Sequence, residues 1–394
     1  MNTLLLVSRS SDQLNLALLE EQKQAPLEFR ISYASQIGHI YKGSVLDIHK
    51  NLGLAFIDIG EKTPGLLPLS LSFWKKPFFS KGASLVVQVS RDKIKKTLLL
   101  EEQLEKEKNV RLTLNLSFSS AFCIFQPNTP GLRFSKMISE KDFSQEVLFK
   151  ISENLSENEG LILKPLARNI TFETLILDLS CLKNLWNQVQ EKNKTLKKPG
   201  LLLSEKEYLF RYILQNIETL KKIIVDDAAL FLSLKTFLEN SYLSSFISLE
   251  SHLPHTKGPL FEAYNLQERW DAQKERIIPF TSGNLILEKT SAFWVFDVNS
   301  SSQNSSYKNR TLFQLNIEAG KKILEEIRLK NLSGTIVVDF IPMASSPQRK
   351  KLLRFLQEYA QSMSLPLHIH HISPLGLCEM TRPKIETSLL EQFS

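Results

Sequence analysis

Ala292-Phe-Trp-Val-Phe-Asp297-Val-Asn299 and Gly334-Thr-Ile-Val-Val-Asp339-Phe340 hold two apolar runs, each reading as a buried strand and each closed by an aspartate. Between them Arg310–Leu329 carries one long helical apolar pattern, so that strand, helix and strand make a parallel crossover unit. Neighbouring strands of such a unit bring their carboxyl ends to the same edge of the sheet, where α/β folds generally place ligands. Asp297 and Asp339 are therefore expected to meet there. Hard divalent cations such as Mg²⁺ take one or two carboxylate oxygens and leave the rest of their shell to water and substrate phosphate, which points the pair toward metal-assisted phosphodiester chemistry. The competing reading is an aspartate that caps the loop after a strand, a common turn role that pattern alone favours.

The 394 residues around this unit suffice for two to four structural units rather than one core. A formal charge of +7 suits a polyanionic partner, although Lys-rich cytosolic proteins are often basic too. Cys123, Cys181 and Cys378 stand far apart with no Cys-x-x-Cys pair, which argues against a disulfide framework or a structural zinc site. Leu4–Val7 is too short for a membrane span and lacks a basic leader, so a soluble cytoplasmic protein is expected.

Upstream, Thr3–Ser8 and Leu14–Glu20 read as a hairpin. Residues 36–118 then give short strands separated by Gly, Asn and Lys turns, the spacing of a small antiparallel barrel such as an OB-fold. Lys95–Lys108 reads as a solvated helix or long loop, and Arg111–Phe125 as strand-like. From Ser139 to about Leu220 helical patterns dominate, with a helix over Phe172–Gln190 and a linker at Lys194–Gly200. A strand at Lys221–Asp227 leads into a helix at Ala228–Leu238; a helix around Tyr264–Lys274, a strand at Ser282–Glu288 and a helix at Pro347–Ala360 follow. Leu367–Ile372 is a strand with His368 and His370 on one face. With no Cys or acidic partner nearby in sequence, His368, His370 and His371 read as structural or as facing a polyanionic partner rather than as zinc ligands.

Several motifs in order, Ala55-Phe-Ile-Asp-Ile-Gly60, Phe296-Asp-Val-Asn299, Asn316-Ile-Glu-Ala319, Arg328-Leu-Lys-Asn-Leu-Ser-Gly334, Val338-Asp-Phe-Ile341 and Leu375-Gly-Leu-Cys-Glu-Met-Thr-Arg382, make the chain resemble the bacterial ribonuclease E/G family over almost its whole length. What the resemblance implies is an α+β multi-domain fold in which an S1-type OB-fold barrel (36–118) is inserted in an RNase H-like subdomain (1–35 and 211–270). A 5′-sensor-like region (119–210) and a DNase I-like α/β catalytic subdomain (271–394) complete it. The implied activity is that of an Mg²⁺-dependent endoribonuclease, which cuts single-stranded RNA in RNA processing or decay and leaves a 5′-monophosphate. By the same resemblance Asp297 and Asp339 hold the metal, Asn299 orients water or a phosphate oxygen, Phe56 stacks on an unpaired base, and Lys108 and Arg382 face RNA. Ordinary surface charges and a core barrel residue are the alternatives for those last three.

The sequence also departs from the family. Leu66 stands where a second barrel aromatic is usual, and Lys164-Pro165 stands where Arg-Thr reads the substrate's 5′-phosphate. Lys offers a point charge without the bidentate fork of Arg, and Pro has neither hydroxyl nor N–H, so little preference for 5′-monophosphorylated RNA is expected. Pro342 and the Ser-rich loop after Ser300 alter the surroundings of the aspartates. The sequence given stops at Ser394 without the family's zinc-linking Cys-x-x-Cys pair, which speaks against a zinc-linked tetramer and leaves a homodimer open. An RNA-binding paralogue with reduced or lost cleavage is the alternative from another class; a DNA-acting nuclease fits an S1-type barrel less well.

Overall fold

A computed structural model describes residues 2–10, 13–32, 35–69, 79–91, 109–205, 208–300, 312–343, 345–384 and 386–393. β1 (Thr3–Ser10) pairs antiparallel with β2 (Gln13–Glu20), and β2 with β3 (Ala25–Ile31), which gives the expected hairpin a third strand. Leu5 and Val7 point into one core and Leu4 and Leu6 into another, so β1 is covered on both faces and shows no polar alternation.

β4 (Ile40–His49), β5 (Leu54–Asp58), β6 (Gly65–Pro68), β7 (Ser84–Arg91) and β8 (Arg111–Thr113) run in the order β4-β5-β6-β8-β7. β7 also pairs with β4, so five strands close into a barrel consistent with an OB-type fold. Ala55, Ile57, Leu67 and Val87 fill its interior. The Lys95–Lys108 segment lies outside the described residues.

Arg111–Phe125 holds strands as expected, and the stretch from Ser139 to Leu220 holds more strand than its helical patterns suggest. β9 (Phe118–Ser119), β10 (Cys123–Gln126), β11 (Gly131–Phe134) and β12 (Gly160–Leu163) form a sheet ordered β11-β12-β10-β9, packed with α1 (Gln145–Glu153) and α2 (Phe172–Thr195). Four-residue β12 sits between two neighbours with Leu161 and Leu163 fully buried, so it is too short to display a strand period. β13 (Gly200–Leu203) follows the linker and pairs with the start of β4.

After α3 (Tyr208–Asn216), β14 (Leu220–Val225) pairs parallel with β1, α4 (Ala228–Asn240) crosses over, and β15 (Ser248–Ser251) pairs parallel with β14. One sheet, β15-β14-β1-β2-β3, thus draws on both sides of the barrel in sequence. α5 (Pro254–Lys257), α6 (Leu260–Ala263) and α7 (Gln267–Asp271) are short; the helix expected around Tyr264–Lys274 is only α7 and one following 3₁₀ turn.

The last unit is a six-stranded sheet, β16 (Ile277–Phe280), β17 (Gly283–Lys289), β18 (Phe293–Ser300), β19 (Gly334–Asp339), β20 (His368–Ile372) and β21 (Leu377–Arg382), ordered β16-β17-β18-β19-β21-β20. α8 (Leu312–Leu329) is the crossover between the parallel strands β18 and β19; α9 (Ser346–Ser362) packs beside it and α10 (Leu389–Phe393) ends the chain. Trp294, Phe296, Val298, Ile336 and Val338 turn one sheet face onto Ala319, Ile323 and Leu356 of the two helices. A Cβ on Gly320 would meet the Leu356 side chain at 2.5 Å, so glycine there lets α8 and α9 approach closely. The other face is open among the described residues, with Ile277, Phe293 and Leu377 60%, 45% and 39% exposed.

Candidate active site on the open sheet face

Asp297 and Asp339 are direct neighbours in the parallel β18–β19 register. Adjacent strands lie about 4.8 Å apart, and registered residues point to the same face, so both carboxylates rise from one spot on the open side. Asp297 is half-buried and Asp339 exposed. Asp297 does not close its strand: β18 runs on to Ser300 because β17 continues to pair with it antiparallel, although β19 stops at Asp339. That overhang is what places Asn299. Two residues along the same face, its Nδ2 donates to Asp297 Oδ2 at 2.8 Å.

Residues away from the surface hold this spot in shape. A Cβ on Gly283 would fall 1.9 Å from the Asn299 carbonyl oxygen, so only glycine lets β17 pass so close beside Asn299. Beyond Asp339, the Phe340 N–H donates to the Gly376 carbonyl at 3.2 Å. Gly376 has φ +99°, and a Cβ there would lie 2.4 Å from the Phe340 oxygen. Asn316 of α8 is completely buried; its Nδ2 donates to the Ile341 carbonyl at 2.8 Å and its Oδ1 accepts from the Ile341 N–H at 3.2 Å. Arg349 of α9 donates to the Met343 carbonyl at 2.7 Å. The exit from β19 is thus fastened at Phe340, Ile341 and Met343. Sequence reading placed Asn316 in a motif without a role, yet a signal was there: it falls on the helix face shared with Ala319, Gly320 and Ile323, where a polar side chain must find partners.

Elsewhere, barrel alternation puts Ala55 and Ile57 inside and Phe56 outside, with the His49 ring against it edge-on at 5.3 Å. Across the strands the same outer row continues from Phe56 to Leu66, Arg111 and Arg91. Lys164 lies at the end of β12; its Nζ donates to Ser119 Oγ at 2.8 Å and to the Ser120 carbonyl at 2.5 Å, while Pro165 is buried. Arg382 donates to the Ile327 and Leu332 carbonyls at 3.4 and 2.9 Å, so its charge serves the end of α8 and the turn after it. Burial, with Arg30 next to it, lowers its pKa to about 10. Lys108 lies outside the described residues. Asp297, Asp339 and Asn299 therefore come together, while Phe56 and Lys164 belong to two other sheets.

The rings of His368 and His370 stand edge-to-face at 4.3 Å, and His370 Nε2 is 3.0 Å from Thr381 Oγ1. Among the described residues no three His, Cys, Asp or Glu side chains gather as a metal cluster. Two carboxylates at a solvent-open spot still suit an ion that fills its shell with water and substrate oxygens. A buried charge cluster ties this unit to the amino-terminal sheet: Glu28 accepts from Arg30 at 2.8 Å, Arg328 at 3.3 Å and Tyr212 at 3.0 Å. Burial raises the Glu28 pKa and Arg30 and Arg328 lower it, with a lowered value as the net result.

Residues 117–385, about two thirds of the chain, match the model of the ribonuclease E/G family. Ribonuclease E of Buchnera aphidicola subsp. Schizaphis graminum is 27% identical over 404 residues, covering 99% of this chain and 41% of that protein. Ribonuclease G of Salmonella typhimurium is 27% identical over 369 residues, covering 90% of the chain and 74% of that protein. Ribonuclease E of Escherichia coli is 25% identical over 402 residues, covering 99% and 38%. The chain thus spans well under half the length of these ribonuclease E relatives and about three quarters of the ribonuclease G.

Proposed function

Because the chain belongs to the ribonuclease E/G family, we propose that it is an endoribonuclease that hydrolyses single-stranded RNA at Asp297 and Asp339 with Mg²⁺ as cofactor. The observation that carries this reading is the β18–β19 register, which sets the two carboxylates side by side on an open face. Bound Mg²⁺ would supply positive charge against the scissile phosphate and make water acidic enough to attack at neutral pH. Asp297 and Asp339 would hold the ion. Asn299 fixes the Asp297 carboxylate by its hydrogen bond, so the donor set is preorganised before substrate arrives. Among the described residues the sheet face is uncovered and admits an extended chain. Attack of water forms one P–O bond and breaks the bond to the 3′ oxygen, which leaves a 5′-monophosphate and a 3′-hydroxyl.

In the same reading the barrel is an S1-type RNA-binding domain with Phe56 as its stacking platform. The sheet shared by residues 3–31 and 220–251 is the RNase H-like subdomain, residues 119–210 are the sensor-like region, and residues 271–394 are a DNase I-like catalytic subdomain. The enzyme acts in cytoplasmic RNA processing or decay; no helix among the described residues is long and apolar enough to cross a membrane. A second reading, an RNA-binding paralogue that no longer cuts, draws support from Leu66 and from the commitment of Lys164 Nζ to Ser119 and Ser120.

The test incubates a fluorescent A/U-rich oligoribonucleotide with the protein in Mg²⁺ or EDTA, beside Asp297→Asn and Asp339→Asn. Mg²⁺-dependent cutting that both substitutions abolish supports the enzyme. Binding without cutting supports the paralogue, and cutting that survives both substitutions rejects the site.

A further inference from the structure

Arg91 ends β7 in the outer row of the barrel, and it also forms one wall of a cleft of about 720 Å³. The opposite wall is the far end of the catalytic sheet: Thr335 of β19, Thr381 of β21, His368 of β20, and Lys384 just beyond β21. Among the described residues no carboxylate lines it. Lys384 reaches Glu391 behind the cleft at 3.1 Å, whereas Arg91 and His368 have no carboxylate partner among the described residues.

Arg111 stands next to Arg91 in the β7–β8 register, and burial together with that like charge lowers the Arg91 pKa. Two guanidinium groups held side by side repel each other, a cost that a polyanion relieves. Strand register relates the cleft to two features, one on the barrel and one on the sheet. On the barrel, the row runs from Arg91 through Arg111 and Leu66 to Phe56. On the sheet, Thr335 lies four residues before Asp339 on the same strand and face, about 13 Å away at about 3.3 Å per residue. Val337 and its neighbour Val295 separate the two places; Glu379 shares that row and is registered against His371.

We propose that this cleft is a subsite for the sugar-phosphate backbone of single-stranded RNA on one flank of the scissile bond, linking the stacking face of the barrel to the carboxylate pair. Arg91 and Lys384 supply the phosphate contacts, and the exposed His368 ring, propped edge-on by His370, supports a base or donates to a phosphate. The inference rests on the ribonuclease reading for its ligand, but its test needs binding alone.

The test measures fluorescence anisotropy of a 5′-fluorescein A/U-rich oligoribonucleotide in EDTA with the full chain, with Arg91→Gln, with His368→Ala and with both. Substitutions on two separate elements guard against misfolding of either one, and melting temperature is checked for each. We expect the double variant to bind about tenfold more weakly. Its plot of log affinity against log salt should be shallower by about 0.7, the slope of the one phosphate that Arg91 no longer neutralises. An oligonucleotide trimmed on the flank that occupies the cleft should bind all four proteins alike. Unchanged affinity and salt slope in both single variants and the double variant, with the native protein binding normally, would overturn the subsite while leaving the nuclease reading to the aspartate variants. No binding by the native protein would overturn both. Binding by the native protein without cutting still tests the subsite, through the same ratios.

Discussion

Asn316→Ala separates positioning of Asp339 from its chemistry. The buried amide satisfies both the N–H and the C=O of Ile341, two residues past the carboxylate, at 3.2 and 2.8 Å. Alanine removes both partners. Each backbone group left unsatisfied costs about 1–3 kcal/mol, and Ile341 is only half-buried, so water offsets part of the loss. The sum is about 2–4 kcal/mol of local stability, read as faster hydrogen exchange at β18 and β19 amides relative to β1 and β2. Freed from α8, the exit of β19 can shift, and a displacement near 1 Å at a reacting group costs about 10²-fold in rate. Single-turnover cleavage of a saturating oligonucleotide should therefore fall about 10²-fold, with the Mg²⁺ midpoint raised and RNA affinity in EDTA unchanged. If Asn316→Ala cleaves within twofold of the native protein at the same Mg²⁺ midpoint, the argument that this amide positions Asp339 is refuted.

Three further outcomes follow from other parts of the molecule. Phe56→Ala should weaken binding of a single-stranded oligonucleotide about 5- to 150-fold, the equivalent of about 1–3 kcal/mol per stacked base, and unchanged anisotropy would return Phe56 to a structural role. With Lys164 Nζ donating to Ser119 and Ser120 and Pro165 buried, one oligonucleotide bearing a 5′-monophosphate or a 5′-hydroxyl should be cut at similar rates; a large monophosphate preference would sink that expectation. Burial disfavours the Glu391 carboxylate, but hydrogen bonds from Lys289 and the Ser388 backbone, with Lys384 nearby, bring its pKa down to about 2. A depressed carboxylate pKa stabilises the fold above the unfolded value of about 4.3, and the contribution, on the order of 3 kcal/mol, disappears as pH falls toward 2. Melting temperatures of the native protein and Glu391→Gln should accordingly converge between about pH 4.3 and 2; a constant gap across that range would show that Glu391 is not the titrating group.

The strands at 292–299 and 334–340, their crossover helix and the meeting of the two aspartates were legible because each run is apolar, long enough and bounded. The barrel was legible from turn spacing. Other features depend on partners far away in sequence. Asp297 reads as the end of a strand only until β17 is known to pair past it, and Phe56 alternates with small and branched neighbours that do not announce which side is interior. Arg382 carries a charge that suggests an external anion, yet carbonyls at the end of α8 and in the turn after it, more than 40 residues upstream, capture it. β12 is hidden by its brevity, and β13 by its partner β4, which lies far upstream across the barrel. Asn316 was visible as a polar residue on an apolar helix face, but the carbonyl it serves could not be named without the fold.

The parallel pairing of β1 with β14 also sets an order of events during synthesis. Val7 leaves the ribosome well before its partner Val225, an interval of about 10–40 s at about 5–20 residues per second. Throughout it the Leu4–Val7 edge, buried on both faces in the finished protein, has no strand to pair with on that side, while the barrel gains its last strand at Arg111–Thr113 and can close in the second half of that interval. The nascent chain therefore carries an apolar, unpaired strand edge behind a domain that is ready to fold, the condition under which chaperones or edge-to-edge association compete for a growing polypeptide.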